Sequence, residues 1–486
     1  MKRSALEQYA LAVVLGATAS ASAQVPFSLD TTFRTAIQSQ YVNSLALLPD
    51  GKLLLSGMIR FPGDINARGS ARLLASGQRD LSFTYFTGGG KLTPWNDNFY
   101  VSVGQEVRRL FPTGQTDASF VGLSASPYFS SLQGGDYHVY PDGRVLISGQ
   151  HILSDAVRGF EGLYNLIWFS NTGYLDTTRI HRKGNGVVYR FKELPNGQFI
   201  CSGTCTQFDG HAVDRIFRVH ADGSTDTTFH TGVYTGIVGG YIPLDDGRVY
   251  VSGRFRRSAA PTDTLLLVRF MLDGTLDPSF SIPNFSLGAL PSHPSAVVSF
   301  LYPWDDGKFI ATGQFQYVNG LPRRGICMLD STGAVMDAFD DCGVGIFVDQ
   351  GFTNATIEYV VRDTVNNYLY VNGAYTGYDD GTTNDPLQRF VTRLHLGDIT
   401  TSQEQVQGRE AGVRLFPNPS SGPVTLALEQ LPQDAVLVVR DALGREVQHQ
   451  RVSGHYTTFT FSHSGVYLVE LWNGIERTSS QRLVVE

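Results

Sequence analysis

Charge is scarce in this 486-residue chain: 17% of its residues are Asp, Glu, Lys or Arg, against ~25% in an average soluble protein. What charge there is leans acidic, with 45 acidic against 38 basic side chains and a formal net charge of -7. A nucleic-acid binder should show the opposite balance, so that class is set aside. Past the N-terminus no window reaches 18 apolar residues, and a membrane-spanning helix is not expected in the mature, soluble chain. No Gly-x-Ser-x-Gly elbow, His-Glu-x-x-His pair or phosphate loop occurs, and the 11 His are scattered. Cysteine is limited to Cys201, Cys205, Cys327 and Cys342, none in Cys-x-x-Cys spacing. An even number in an exported chain permits disulfides. A 201–205 bridge requires a bend at Gly203, because residues four apart in a straight strand lie ~13 Å apart. A 327–342 pair fits within one repeat, and free structural thiols are the alternative.

What is abundant is glycine, 52 residues, with 30 Phe and 22 Tyr. At 42% hydrophobic the chain can bury a large core. Gly-rich, aromatic-rich and poor in long polar runs, it reads as an all-β protein full of turns.

The N-terminus combines Lys2 and Arg3, an apolar stretch from Tyr9 to Ala19, and Ala21-Ser22-Ala23. A basic start, a short apolar centre and a small-x-small ending mark a secretory signal peptide over 1–23, with cleavage between Ala23 and Gln24. The apolar stretch is shorter than the roughly 20 residues of a membrane anchor, and Glu7 is unusual for a signal start.

Turn pairs recur at Asp50-Gly51, Asp97-Asn98, Asp142-Gly143, Asn196-Gly197, Asp246-Gly247, Asp306-Gly307 and Asn366-Asn367. Such pairs tolerate the positive φ of a tight type I′ hairpin. In all seven a second glycine follows six residues after the turn's second member: Gly57, Gly104, Gly149, Gly203, Gly253, Gly313 and Gly373. The segment between is apolar, as in Lys52-Leu53-Leu54-Leu55-Ser56, and reads as a buried strand. A second element, Gly-x-x-Asp-x-x-Phe, follows the first six, starting at Gly77, Gly114, Gly173, Gly223, Gly274 and Gly333. Arg179 replaces the Phe in one, and in another Met336 takes the place of the Asp, with Asp337 next to it. The seventh repeat ends at Gly397 without this element, and the missing piece stands at the other end of the chain as Ser28 to Phe33. A linear array has no reason to split a unit between its ends, whereas a closed ring does. Turn spacings of 47, 45, 54, 50, 60 and 60 residues fit propeller blades of about four strands.

Pro49-Asp50-Gly51-Lys52 and Arg218 to Phe229 follow the pattern of the Delta-60 repeat family, which the repeat region resembles over about 370 residues. The resemblance implies a propeller and little about activity. Downstream, Thr400 to Gln405 reads as part of a linker, after which short strands alternate with turns from Leu415 to Val485, as in an Ig-like sandwich. Phe416-Pro417-Asn418-Pro419, Val439 to Arg445, Gly465-Val466-Tyr467 and the final Arg482-Leu483-Val484-Val485 make this tail similar to the type A sorting domain of the type IX secretion system of Bacteroidetes. Many members carry Lys where Arg482 stands. The resemblance implies passage across both membranes, removal of the tail, and surface attachment or release; an ordinary adhesive Ig-like module is the plainer reading.

The expected fold is all-β: a seven-bladed β-propeller over 24–397, closed by an N-terminal strand, then a linker at 398–412 and a small sandwich over 413–486. The turn acids lack the alternate-residue spacing that a six- to eight-coordinate calcium requires, so no metal or cofactor is expected. The Asp that recurs once per blade (30, 80, 117, 176, 226, 277) is read as a cap for backbone N–H groups. The Phe three residues after it is read as inter-blade core. The loops after the second glycine, expected to gather on one face of the propeller, carry Arg and aromatics: Arg254-Phe255-Arg256-Arg257, Phe208 to His211, Gln314 to Tyr317 and Tyr375 to Tyr378. From these, Phe255, Arg256, Phe315, Tyr317, Tyr375 and Tyr378 are the candidate ligand face. The expected function is a secreted or outer-membrane-attached, non-catalytic binding module. Its expected partners are the type IX secretion machinery, through the tail, and a glycan or protein ligand. The alternative is an extracellular polysaccharide hydrolase or lyase, for which Asp340-Asp341 or Asp379-Asp380 would supply paired carboxylates.

Overall fold

The Pro-Asp-Gly turns set the architecture. Leu48 N–H donates to the Lys52 carbonyl and Gly51 N–H to the Leu48 carbonyl, while the Asp50 carboxylate accepts from Lys52 N–H at 3.2 Å. Gly51 has φ 77° and Gly247 φ 87°, whereas neither Asp50 nor Asp246 has positive φ. These two hairpins are therefore three-residue loops, a type I turn closed by a left-handed glycine, and not the two-residue type I′ turns expected from the dipeptide. At the sixth turn, by contrast, Asp306 (φ 59°) and Gly307 (φ 71°) are both positive. At the second repeat the turn falls at Asn96-Asp97, with Asn98 already in a strand.

A computed structural model describes residues 26–485 apart from 85–87, 105, 124–127, 289–294, 350–351, 398–412, 417–419, 421, 429–433, 442–444 and 474–475. The expected signal peptide with Ala23 and Gln24, the expected linker at 398–412, and Pro417, Asn418 and Pro419 lie outside the described residues. The chain divides into two compact units, 1–398 and 399–486.

Among the described residues of the first unit there are seven main antiparallel sheets, each with its second strand in the middle. Sheet 1 comprises Ser39–Leu47, Leu53–Arg60 and Arg68–Leu73; sheet 2, Leu92–Trp95, Asn98–Val103 and Glu106–Leu110. Sheet 3 comprises Phe129–Val139, Val145–Asp155 and Phe160–Phe169; sheet 4, Val188–Glu193, Phe199–Gly203 and Ile216–Val219. Sheet 5 comprises Val233–Pro243, Val249–Arg257 and Ala260–Phe270; sheet 6, Val297–Pro303, Phe309–Gln314 and Ile326–Leu329. Sheet 7 comprises Thr356–Asp363, Tyr368–Asp380 and Asn384–His395, with Cys342–Val344 added alongside Tyr378–Asp380. The Gly-x-x-Asp element supplies only a rudimentary fourth strand, a single bridge such as Phe270 to Leu276 or Val219 to Thr225.

Each sheet packs on the next, and the last packs on the first: Ser39–Leu47 contacts Leu92–Trp95 on one side and Thr356–Asp363 on the other. The missing fourth strand of sheet 7 comes from the N-terminus. Leu29 bridges Leu394, Phe27 N–H donates to the His395 carbonyl at 2.7 Å and Asp30 N–H to the Arg393 carbonyl at 3.0 Å. Phe33 is sealed in one core with Leu45 and Leu53 of sheet 1 and Tyr370 and Val391 of sheet 7. The split repeat is a closing device.

The recurrent Asp caps as its position suggests. The Asp277 carboxylate accepts from Ser279 N–H at 2.8 Å and from its hydroxyl at 2.7 Å, and Asp30 does the same for Thr32. Each of five such Asp also pairs with an Arg on the third strand: Arg72–Asp80, Arg109–Asp117, Arg218–Asp226, Arg269–Asp277 and Arg393–Asp30, at 2.7–2.9 Å. That guanidinium stacks over the motif's Phe, as Arg218 does over Phe229 at 4.6 Å and Arg393 over Phe33 at 4.8 Å. It also reaches the next sheet, where Arg109 donates to the Asn171 carbonyl and Arg393 to the Ala75 carbonyl. The four cysteines are buried free thiols, joined neither as 201–205 nor as 327–342; burial pushes Cys327 and Cys342 up to about 12.

The second unit is a sandwich of two antiparallel sheets, one of Val413–Phe416, Val424–Leu428 and Tyr456–Phe459, the other of Glu446–Arg451, Ala435–Asp441, Gly465–Asn473 and Glu476–Val485. Alternate residues Val424, Leu426 and Leu428 meet Leu437, Val439, Val469 and Leu471 in its core, the period-2 burial of a half-buried sheet. Phe416 is exposed. Tyr467 stacks on Phe461 at 4.4 Å, and Gly465 pairs with Val485.

Candidate functional site

The second glycine of the repeat marks a defect in the neighbouring strand. In sheet 4, Val188 pairs with Gly203 and Arg190 with Ser202, which leaves Tyr189 bulged. The same slip opposite the same glycine leaves out Asn43, Ser299 and Glu358 in sheets 1, 6 and 7. In sheets 3 and 5 it leaves out two residues, Gly135-Asp136 and Gly239-Gly240. Sheet 2 keeps an unbroken ladder. The glycine is required because the bulge brings the two backbones together: a Cβ on Gly203 would run into the Val187 carbonyl, and one on Gly373 into the Thr356 carbonyl. A bulge bends its strand and re-aims a side chain. Here six of seven first strands do so.

Those first strands surround a cavity of about 850 Å³, lined by residues from all seven sheets, which places it on the ring axis. The bulged Asn43, Asp136, Tyr189 and Glu358 all line it, beside Lys91, Arg190, Lys192, Phe300 and Tyr359. Its size is that of a small-molecule or short-oligomer site. Lys91 pairs with Asp136 at 2.9 Å and also donates to the Tyr137 carbonyl. Arg190 of sheet 4 reaches the Phe300 ring of sheet 6, 5.6 Å away.

The charges here are uneven. Burial raises the Asp136 carboxyl, but Lys91 and Arg190 outweigh it and hold it below the usual range. Burial pushes the Glu358 carboxyl up, with Arg190 opposing. Burial, then repulsion by Lys91, pulls the Lys192 ammonium down. Close by, His138 faces Glu193 at 3.3 Å and is held down to about 4, first by burial and then by Lys91 and Lys192. Among the described residues no three His, Cys, Asp or Glu gather as a metal site requires.

The residues expected to form a ligand face are placed elsewhere. Phe255, Phe315, Tyr375 and Tyr378 are at most 1% exposed and sit in hydrophobic cores; only Phe255 also backs the axial cavity. The strands run on past the glycine, to Arg257 in sheet 5 and Asp380 in sheet 7, so alternation turns the residue two beyond it into the core. Arg256, which donates to the Thr264 hydroxyl at 3.2 Å, and Tyr317, 40% exposed, remain at the surface. The axial residues were overlooked because they lie in the first strand, before the turn. The available signal was a polar residue or Gly interrupting an apolar run there, as in Val188-Tyr189-Arg190-Phe191 and Ile357-Glu358-Tyr359-Val360.

Residues 244–280, one repeat, match the model of a β-propeller domain family of unknown function, DUF5122, and residues 414–486 match the secretion system C-terminal sorting domain. The matches carry neither the Delta-60 name nor a blade count. No curated protein matches the chain. Among solved structures, the chain is 10% identical to the extracellular domain of a B. thetaiotaomicron protein, with 96% of this chain and 59% of that one covered and a TM-score of 0.39. It is 12% identical to PorZ, a surface component of the type IX secretion system of Porphyromonas gingivalis (92% and 81% covered, TM-score 0.28). It is also 12% identical to oligogalacturonate lyase from Vibrio parahaemolyticus (74% and 90% covered, TM-score 0.41). Likenesses this loose do not bear on function. No helix among the described residues is long and apolar enough to cross a membrane. The chain is an all-β propeller protein that carries a sorting domain for type IX export to the cell surface or beyond.

Proposed function

We propose that the propeller is a non-catalytic binding module that takes a glycan or protein ligand at its axial cavity, not on its outer segments. One observation carries this: in six of seven sheets the strand lining the axis is bulged opposite the second glycine, and the residues so displaced differ from sheet to sheet. The Arg–Asp–Phe unit, by contrast, is repeated and consumed in holding sheets together. A repeated scaffold with a varied rim is how a ring acquires one specific site.

One observation favours the alternative of a polysaccharide hydrolase or lyase. Asp136 and Glu358 share the cavity with their acidities pushed apart, the first down and the second up, a pattern that suits a base and an acid. A glycan array with the full-length protein, followed by a reducing-sugar assay on every hit, separates the two. Retained binding without product supports the module. Product release that is lost in Glu358→Gln supports the enzyme.

A further inference from the structure

The axial wall runs against the charge of the chain as a whole. Lys91, Arg190, Lys192 and Arg215 line the cavity together with Asp136 and Glu358, in a protein of net charge -7. Asp136 is already engaged by Lys91 at 2.9 Å. The side chains of Arg190 and Lys192 make no hydrogen bond or ion pair among the described residues, and a buried nitrogen of Arg215, Nη1, has no hydrogen-bond partner there. Tyr189, 41% exposed, sits on the bulge beside Arg190, and Phe300 lies under the Arg190 guanidinium. Side-chain donors without acceptors beside the exposed Tyr189 ring suit an anion carried on a flat body.

Resting on the binding reading above, we propose that the axial cavity recognises a carboxylated glycan, a uronate oligomer whose carboxylates meet Arg190, Lys192 and Arg215 while a sugar ring lies on Tyr189. A carboxylate accepts from a guanidinium at two points, which fixes orientation as well as charge, and an aromatic face suits the ring. An anion would also relieve the repulsion between Lys192 and Lys91. The exposed Tyr189 ring favours a glycan over an acidic peptide, which therefore serves as a competing probe.

The test is titration calorimetry of the full-length protein with mannuronate, galacturonate and glucuronate-containing hexamers, a neutral glucose hexamer and a poly-glutamate peptide. At least one uronate oligomer should bind at least about tenfold tighter than the neutral hexamer, and more weakly as salt rises. Lys192→Ala, checked for an unchanged thermal midpoint, should weaken that binding roughly tenfold, and Arg256→Ala should leave it unchanged. Tighter binding of the neutral hexamer, abolished by Tyr189→Ala, would overturn the anionic ligand while keeping the axial site. Binding of poly-glutamate alone would overturn the glycan. Silence from all three uronates would overturn the proposal outright.

Discussion

At the scale of single residues, Asp is used in two ways that differ in burial and in energy. Asp246 sits in an exposed turn, paired with Arg248, itself only partly buried. Asp277 is buried against Arg269, accepts from Ser279 and also pairs with Arg248. Asp277→Ala should therefore cost about 3–5 kcal/mol, the penalty for stranding a buried partner, and Asp246→Ala at most about 1 kcal/mol; urea melts of the two variants decide. Acid should act in two stages. His138, His151 and His181 are held down to about 4, chiefly by burial, so the unfolded chain takes up their protons first. Stability should fall as pH drops from ~6.5 towards about 4. Asp226 and Asp277 are held below the carboxylate range: burial raises them, but the hydroxyl, backbone and Arg bonds outweigh it. Their contribution is present above ~3.9 and is lost as pH falls further. Thermal midpoints between pH 8 and 3 test both stages; a flat profile down to pH 4 would remove the histidine stage.

At the scale of elements, the hairpin, the second glycine, the capping Asp and the Phe were all legible, because each is a local demand written into a few adjacent residues. Turn type was not, since the dipeptide alone does not say whether Asp50 as well as Gly51 adopts positive φ. The axial site was hidden for a deeper reason. A bulge is a mismatch between two strands, so a polar residue or Gly interrupting one strand's apolar run only hints at it, and Tyr189 or Glu358 reads as an ordinary surface residue until paired. The candidate face failed on alternation: Phe255 and Tyr375 follow their glycines by two and turn inward with the strand. The glycine argument makes its own prediction. Gly373→Ala must push against the Thr356 carbonyl and should lose about 2 kcal/mol or more. Gly422→Ala meets nothing nearby and should be close to neutral. Equal denaturation midpoints for the two would refute the close approach at the bulge.

At the scale of the whole molecule, closure and export are separate functions of the two ends. Removing Ser28 to Phe33 takes away the Asp30 partner of Arg393, the bridge to Leu394 and the buried Phe33. Sheet 7 would keep a bare edge, and the full-length deletion variant should melt lower and aggregate. Removing 413–486 should leave the propeller's melting unchanged and stop the protein reaching the surface of a host with type IX secretion, as fractionation would show. The central claim, that a varied axis on a repeated frame is what this protein presents to its ligand, is tested most directly by two folded double variants. Tyr189→Ala with Lys192→Ala alters the axis, and Arg256→Ala with Tyr317→Ala alters the outer segments. Measured against the best glycan or protein hit, the axial pair should weaken binding by about 2 kcal/mol or more and the outer pair by less than about 0.5 kcal/mol. The reverse order would contradict the account.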